Sequence, residues 1–210
     1  MSEASKSDSG ASRTIRPPAV AVWEFASIVD GVACADAIAK GSPIDALLTG
    51  TTHPGKYVVL VSGDTASVAV AIDIVDDMEV DVMDSRFLPD IAIAVADVVT
   101  RKDTTVTAAG DAIGVVETST VASGIDAADA AVKAADVALG ALRMADGIGG
   151  KAYLVVDGTV GEVEAAVEAA VERAGHQIVA WVVIPNLTED LRTDLAASSR
   201  FLERVRAHRR

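Results

Sequence analysis

The stretch "AIGVVETSTVASGIDAADAAVKAADV", Ala112 to Val137, decides how the rest of the chain is read. It opens on an apolar run that fits a strand and passes Thr120, which can cap a helix by accepting from its free N–H groups. It then enters a helical segment carrying almost nothing larger than a methyl group. Shifted by 93 places, it lies on "AVAVWEFASIVDGVACADAIAK", Ala19 to Lys40, with Ser27 in the capping position. In the 21 positions from Val20 there are seven identities, at Val22, Glu24, Gly31, Ala35, Asp36, Ala37 and Lys40. Composition alone gives about two.

The correspondence runs on past small slips, with Lys56 on Lys151, Gly63 on Gly158, and "SRFLPD" on "WVVIPN", which sets Pro89 on Pro185. The chain is therefore a tandem duplication with its junction near "RKDTTVTAAG". The expected organisation is a disordered polar tail over 1–18, a first domain over 19–104 and a second over 105–210. Each copy repeats one order: strand, slim helix, a hairpin ("IDALLTG" with "KYVVLVSG"; "VALGALRM" with "KAYLVVDG"), an amphipathic helix and a fourth strand. Closing helices are expected at Asp90 to Thr100 and Thr188 to His208. The order beta-alpha-beta-beta-alpha-beta predicts an α+β class, two ferredoxin-like domains, each an antiparallel sheet with helices packed on one face. A slim helix suits a face that it must share with a neighbour.

Half the residues are hydrophobic but only 3% are aromatic, so the core must be built from Val, Ala, Ile and Leu. A formal charge of −13 argues against nucleic acid as a partner. The basic cluster "RFLERVRAHRR" reads as the last turns of a solvated helix. One cysteine cannot form an internal bridge. No apolar run approaches the length of a membrane span and the first residues lack an export signal, so no membrane association is expected and the cytoplasm is the default.

The quoted stretch, followed by "DGIGGK", "AYLVVDGTVGEVEAAVEAAVERAG" and "IVAWVVIP", resembles the bacterial microcompartment shell domain over nearly all of Asp111 to Leu187. The first copy resembles the same domain, more diverged. The resemblance implies a tandem-domain shell subunit: a homotrimer imitating a hexamer, tiling edge to edge with other shell proteins and passing small metabolites through a central pore. It implies pore loops at the hairpin tips, Thr52, His53, Pro54 and Gly55 in one copy and Asp146, Gly147, Ile148, Gly149 and Gly150 in the other. The longer, Gly-rich loop is expected to set the width of the opening. It implies tile-edge contacts at Lys40 and Lys133, which are equally readable as exposed lysines at helix ends. Asp90 and Asn186 stand where the family often has an edge arginine.

Other features have plainer readings. "GIGGKA" fits a dinucleotide fingerprint only in letters, because a strand follows it where a helix should. Cys34 reads as a small buried thiol, and His53, His176 and His208 share no ligand spacing, so no metal or other cofactor is expected. His53 is either a turn residue before Pro54 or a titrating group facing Asp146 across the pore. Glu24 and Glu117, ending the first strands, are expected to accept hydrogen bonds from the next helix's N–H groups and not to act as catalytic carboxylates. No nucleophile and base share a motif, so a non-enzymatic structural role is expected. The alternative is a ligand-sensing module of two ferredoxin-like repeats.

Overall fold

The computed structural model describes residues 19–100 and 110–196; the expected tail, most of the junction and the C-terminal basic cluster lie outside them. The first copy runs β1 (Ala19–Phe25), α1 (Ile28–Gly41), β2 (Ala46–Thr52), β3 (Lys56–Gly63), α2 (Thr65–Asp76), β4 (Val82–Leu88) and α3 (Ile93–Thr100). The second repeats it as β5 (Ala112–Thr118), α4 (Val121–Ala134), β6 (Ala138–Met144), β7 (Ala152–Gly158), α5 (Val160–Ala174), a 3-10 turn, β8 (Ile178–Pro185) and α6 (Glu189–Ala196). Local chemistry fixes the helix starts. Ser27 Oγ accepts from Asp30 N–H, Asp64 from the N–H groups of Ala66 and Ser67, and Thr120 from Ser123 N–H. Thr159 and Glu162 form a reciprocal capping box on α5.

Two antiparallel sheets result, in the orders β2-β3-β1-β4 and β6-β7-β5-β8. The first strand of each copy is central, and its ladder is interrupted at the same place in both, between Glu24 and Phe25 and between Glu117 and Thr118. Strand β1 is buried along its whole length. Its two faces meet different partners, which is why it reads as a continuous apolar run and not an alternating one. Ala19, Ala21, Trp23 and Phe25 pack with Cys34, Ile38, Val68 and Val75 of α1 and α2. Val20 and Val22 turn the other way, onto Ile91, Val95 and Ala96 at the closing helix. The inserted helices thus share one face, as expected, and the closing helix covers the other. In β5 the alternation is kept with Gly114 on the helix side, where an added Cβ would sit 2.4 Å from Val167.

The two copies are not separate cores. Val20, Val22, Leu88 and Ile91 of the first belong to one apolar cluster with Val121, Ala122, Ile125 and Ala128 of α4. Helix α4 is pressed between α5 on one side and the first copy on the other, and ten of its fourteen residues are buried. Only four residues of the matching helix α1 are buried. The near-absence of side-chain bulk in α4 is what admits this double packing, since an added Cβ at Gly124 would lie 2.3 Å from that of Ala152.

Candidate functional site: the joint between the copies and the hairpin tips

The start of α4 docks on the edge of the first sheet through buried charge. Glu24 is fully buried; one carboxylate oxygen accepts from Ala122 N–H at 2.9 Å and the other from Lys56 Nζ at 3.3 Å. Burial pushes the Glu24 carboxyl up, opposed by the Ala122 N–H and by the Lys56 charge. The helix that Glu24 serves is therefore not the one that follows it in its own copy, as expected from the sequence, but the equivalent helix of the other copy. Lys56 also donates to the Ser119 carbonyl at 3.3 Å, which binds the base of one hairpin to the turn before α4.

Next along the joint, Asp84 of β4 accepts from the hydroxyls of Thr120 and Ser123 and pairs with Arg86 at 2.9 Å. Arg86 reaches on to Ser123 Oγ at 2.7 Å and to Asp126 at 3.3 Å, and Arg173 of α5 meets the other Asp126 oxygen at 3.2 Å. Burial raises the Asp126 carboxyl, with Arg173 and Arg86 pulling it back and Asp129 adding to the rise. Beyond it, Asp129 accepts from Ala92 N–H and from Lys133, each at 2.7 Å, and Lys133 donates to the Asp90 carbonyl. Two of the four tile-edge candidates, Lys133 and Asp90, are thus brought together. The helix places them: α4 starts beside the Lys56 hairpin, and Lys133 lies twelve residues on, about 18 Å farther from the tips.

The hairpin tips meet. In the first copy Thr52 pairs with Lys56, leaving His53 to Gly55 as the tip; in the second, Met144 pairs with Ala152, leaving Ala145 to Lys151. The longer loop is held across its base by Ala145 N–H to the Lys151 carbonyl at 2.9 Å and Gly150 N–H to the Ala145 carbonyl at 3.2 Å. Gly150 lies against the first tip so closely that a Cβ there would be 2.0 Å from the His53 carbonyl oxygen, and its φ of 74° is in the left-handed region. His53, Pro54, Gly55, Asp146, Gly147 and Gly149 are exposed, Ile148 is half-buried, and Thr52 is buried.

Among the described residues, the same surfaces occur a second time, uncovered. Glu117, the counterpart of Glu24, accepts only from Lys151, at 2.7 Å, among the bonds described for it, and is partly exposed. Val29, counterpart of the fully buried Ala122, is 76% exposed; Ile28 and Val32, counterparts of buried Val121 and Ile125, are exposed as well. On β8, Trp181 and Val182 are exposed and form one wall of a groove against α5. Lys40 pairs with Asp36, at 2.6 Å, and stands in solvent, and Asn186 turns the chain at φ 53° with its N–H on the Asp111 carbonyl. Sequence reasoning missed Asp84, Arg86, Asp126 and Arg173. Their signal was present as differences between the copies: Ala180, Val182, Ala33 and Met78 stand in the matching places. Cys34 is buried, and that burial pushes its thiol up.

Two split sheet-and-helix units, fused so that one caps the other's edge and their hairpin tips touch, define a duplicated tile with two unsatisfied ends. The chain belongs to the BMC domain family, which matches residues 19–91 and again 112–187. Within that family it is of the tandem shell-protein type. It is 38% identical over 176 residues to the bacterial microcompartment shell protein PduT of Citrobacter freundii, covering 82% of this chain and 95% of that protein. A solved microcompartments protein from Desulfitobacterium hafniense superposes with a TM-score of 0.71 at 33% identity, over 84% of this chain and 99% of that one. The fused permuted hexameric shell protein of the RMM microcompartment superposes at 0.55 and 23% identity, over 75% and 81%, a likeness of fold.

Proposed function

We propose that this chain is a structural shell subunit of a bacterial microcompartment, within the cytoplasm, and that three copies close a ring of six domains by repeating between chains the joint that each chain contains once. The observation that carries this reading is the pairing of the two open ends. Val121, Ala122, Ile125, Asp126 and Asp129, buried in the joint, have exposed counterparts on α1 at Ile28, Val29, Val32, Ala33 and Asp36, and among the described residues the edge of β5 and β8, with Glu117, lacks the helix that covers β1 and β4. Placing one chain's α1 on the next chain's second sheet satisfies both. Glu117 then accepts from Val29 N–H, as Glu24 does from Ala122, and Lys40 reaches the Asn186 carbonyl as Lys133 reaches that of Asp90. A head-to-tail contact of this kind gives a closed ring when its rotation closes.

Because the tips already touch within one chain, closure gathers all six around the axis. Metabolites pass between the backbone and side chains of His53 to Gly55 and Asp146 to Gly149, and the acidic surface disfavours bulky anions. Lys133 with Asp90, and Lys40 with Asn186, mark the outer ends of the six joints, where neighbouring shell proteins meet edge to edge. The role is structural and not catalytic. Size-exclusion chromatography with light scattering tests the ring: a mass of three chains is expected, and a monomer or dimer points instead to a ligand-sensing pair of domains. Electron microscopy of the trimer tests the pore, which fails if the hairpin tips lie at the rim.

A further inference from the structure

Inside the chain, the joint is ionic: Arg86 of the first copy is paired with Asp126, which is shared with Arg173, and Asp84 is buried beside them. Aligning the copies through Pro89 with Pro185, Gly31 with Gly124 and Gly63 with Gly158 assigns a counterpart to each member. Val182 stands for Arg86, Ala33 for Asp126, Met78 for Arg173 and Ala180 for Asp84. The four charged members all have apolar counterparts, while Ser123, which bonds both Asp84 and Arg86, has Asp30 in its place. On unrelated surfaces each loss would be independent and would leave its neighbour unpaired. On surfaces that meet, losing one member leaves a desolvated charge that selects for loss of the rest. Val182 and Ala180 lie on one open end of the chain and Ala33 and Met78 on the other, so they come together only when a second copy is docked.

Resting on the ring proposed above, we infer that the contact between chains is an apolar joint. Val182 and Ala180 of one copy are buried against Ala33, Met78 and Val29 of the next, and this difference from the ionic joint keeps the two from exchanging. An open chain offering its β4 edge to another chain's α1 would take Arg86 from the Asp126 carboxylate and set it against Ala33 and Met78, leaving it Asp84 of its own strand. The converse exchange would bury Asp126 beside Val182. The same mismatch excludes a foreign shell subunit whose joint is ionic. The surface chemistry agrees, since Ile28, Val29, Val32 and Val182 are among the exposed large apolar side chains of the molecule.

The experiment measures the trimer's dissociation in the full-length chain by sedimentation across a concentration series, at low and high salt, with melting followed by circular dichroism as a check on folding. The wild-type trimer is expected to hold as well or better in high salt, as apolar contacts do. Val182→Arg alone should weaken association about tenfold or more while the chain still melts cooperatively. The triple variant Val182→Arg, Ala33→Asp, Met78→Arg should recover the trimer and make it weaken with salt. A Val182→Arg chain that trimerises like the wild type overturns the inference, as does a folded triple variant that stays dissociated. A wild-type chain that is not a trimer sinks the ring itself, a separate and earlier result.

Discussion

Glu24 and Glu117 arose as the same residue, and the structure gives them different burdens. In Glu24→Ala, the Ala122 N–H loses its acceptor inside a fully buried joint and Lys56, with a side chain only 14% exposed, loses its carboxylate. An orphaned buried donor costs about 1–3 kcal/mol, and stranding one partner of a buried pair about 3–5. Two effects reduce the sum: the Ser119 carbonyl still receives Lys56, and the variant no longer desolvates a carboxylate whose ionisation burial opposes. A net loss of about 2–4 kcal/mol follows. Glu117→Ala removes from the isolated chain only a pair whose side chains are 44% and 36% exposed, worth about 0–1 kcal/mol. Its larger effect is on association. Urea unfolding over a hundredfold range of protein concentration separates the two. Glu24→Ala should lower the midpoint at every concentration, whereas the Glu117→Ala deficit should be present where the wild type is trimeric and vanish on dilution. A Glu117→Ala loss equal to that of Glu24→Ala at all concentrations would refute the reasoning.

Three further outcomes are expected. Gly150→Ala puts a Cβ 2.0 Å from the His53 carbonyl at a φ of 74°, so it should cost about 2 kcal/mol or more in thermal or urea unfolding, whereas Gly147→Ala, at φ 78° in open space, carries only the backbone term of about 1–2 kcal/mol. Ile125→Ala opens a cavity where the copies share their core; it should cost about 2–5 kcal/mol and leave a single transition, because both copies lose packing together. The Asp64 carboxyl is held below its ordinary 3.8 by the Ser67 hydroxyl and the N–H groups of Ser67 and Ala66, so its contribution is present above that value and lost as pH falls through the lower folded one. Glu24, raised above 4.5, has the opposite sign: its contribution is full below 4.5 and lost as pH rises through the folded value. Acid titrations of stability should therefore flatten at their low end in Asp64→Ala and over the interval above 4.5 in Glu24→Gln.

The repeat, the strand order and the helix caps were legible because each rests on local pattern: alternating burial, a hydroxyl or carboxylate before a helix, and the recurrence of both. The closing helix of the first copy begins at Ile93, later than expected, since Asp90 to Ala92 are spent leaving Pro89 and presenting an N–H to Asp129. What stayed hidden were the relations between copies. Sequence alone assigns Glu24 to α1, the nearest helix, because no local rule says that the bend after β1 aims its end at α4. One shared sheet face accounts for part of the thinness of α4; the structure adds a second burial against the first copy, which explains why α4 is purer in alanine than α1. Arg86 and Asp126 look like ordinary exposed charges until the register of β4 on β1 sets Asp84 beside Glu24.

Fusion accounts for why the two joints could part company. In a ring of six identical chains every joint is the same, so a buried Arg-Asp-Arg cluster must overcome its desolvation at each contact with no help beyond the encounter itself. Linking two copies turns one joint in every pair into an intramolecular contact, formed at an effective concentration far above that of dilute separate chains. That joint tolerates charges that add little net affinity and enforce register, which is where Asp84, Arg86, Asp126 and Arg173 are found. The proposed joint between chains would still have to form from dilute chains, and burying Val182 and Val29 yields about 25 cal/mol per Å² with the Arg86, Asp126 and Arg173 charges replaced, leaving the Glu117–Lys151 pair to desolvate. In the proposed ring the apolar replacements fall at the open ends and the Asp84, Arg86, Asp126 and Arg173 cluster at the closed one, the distribution that this division of labour requires.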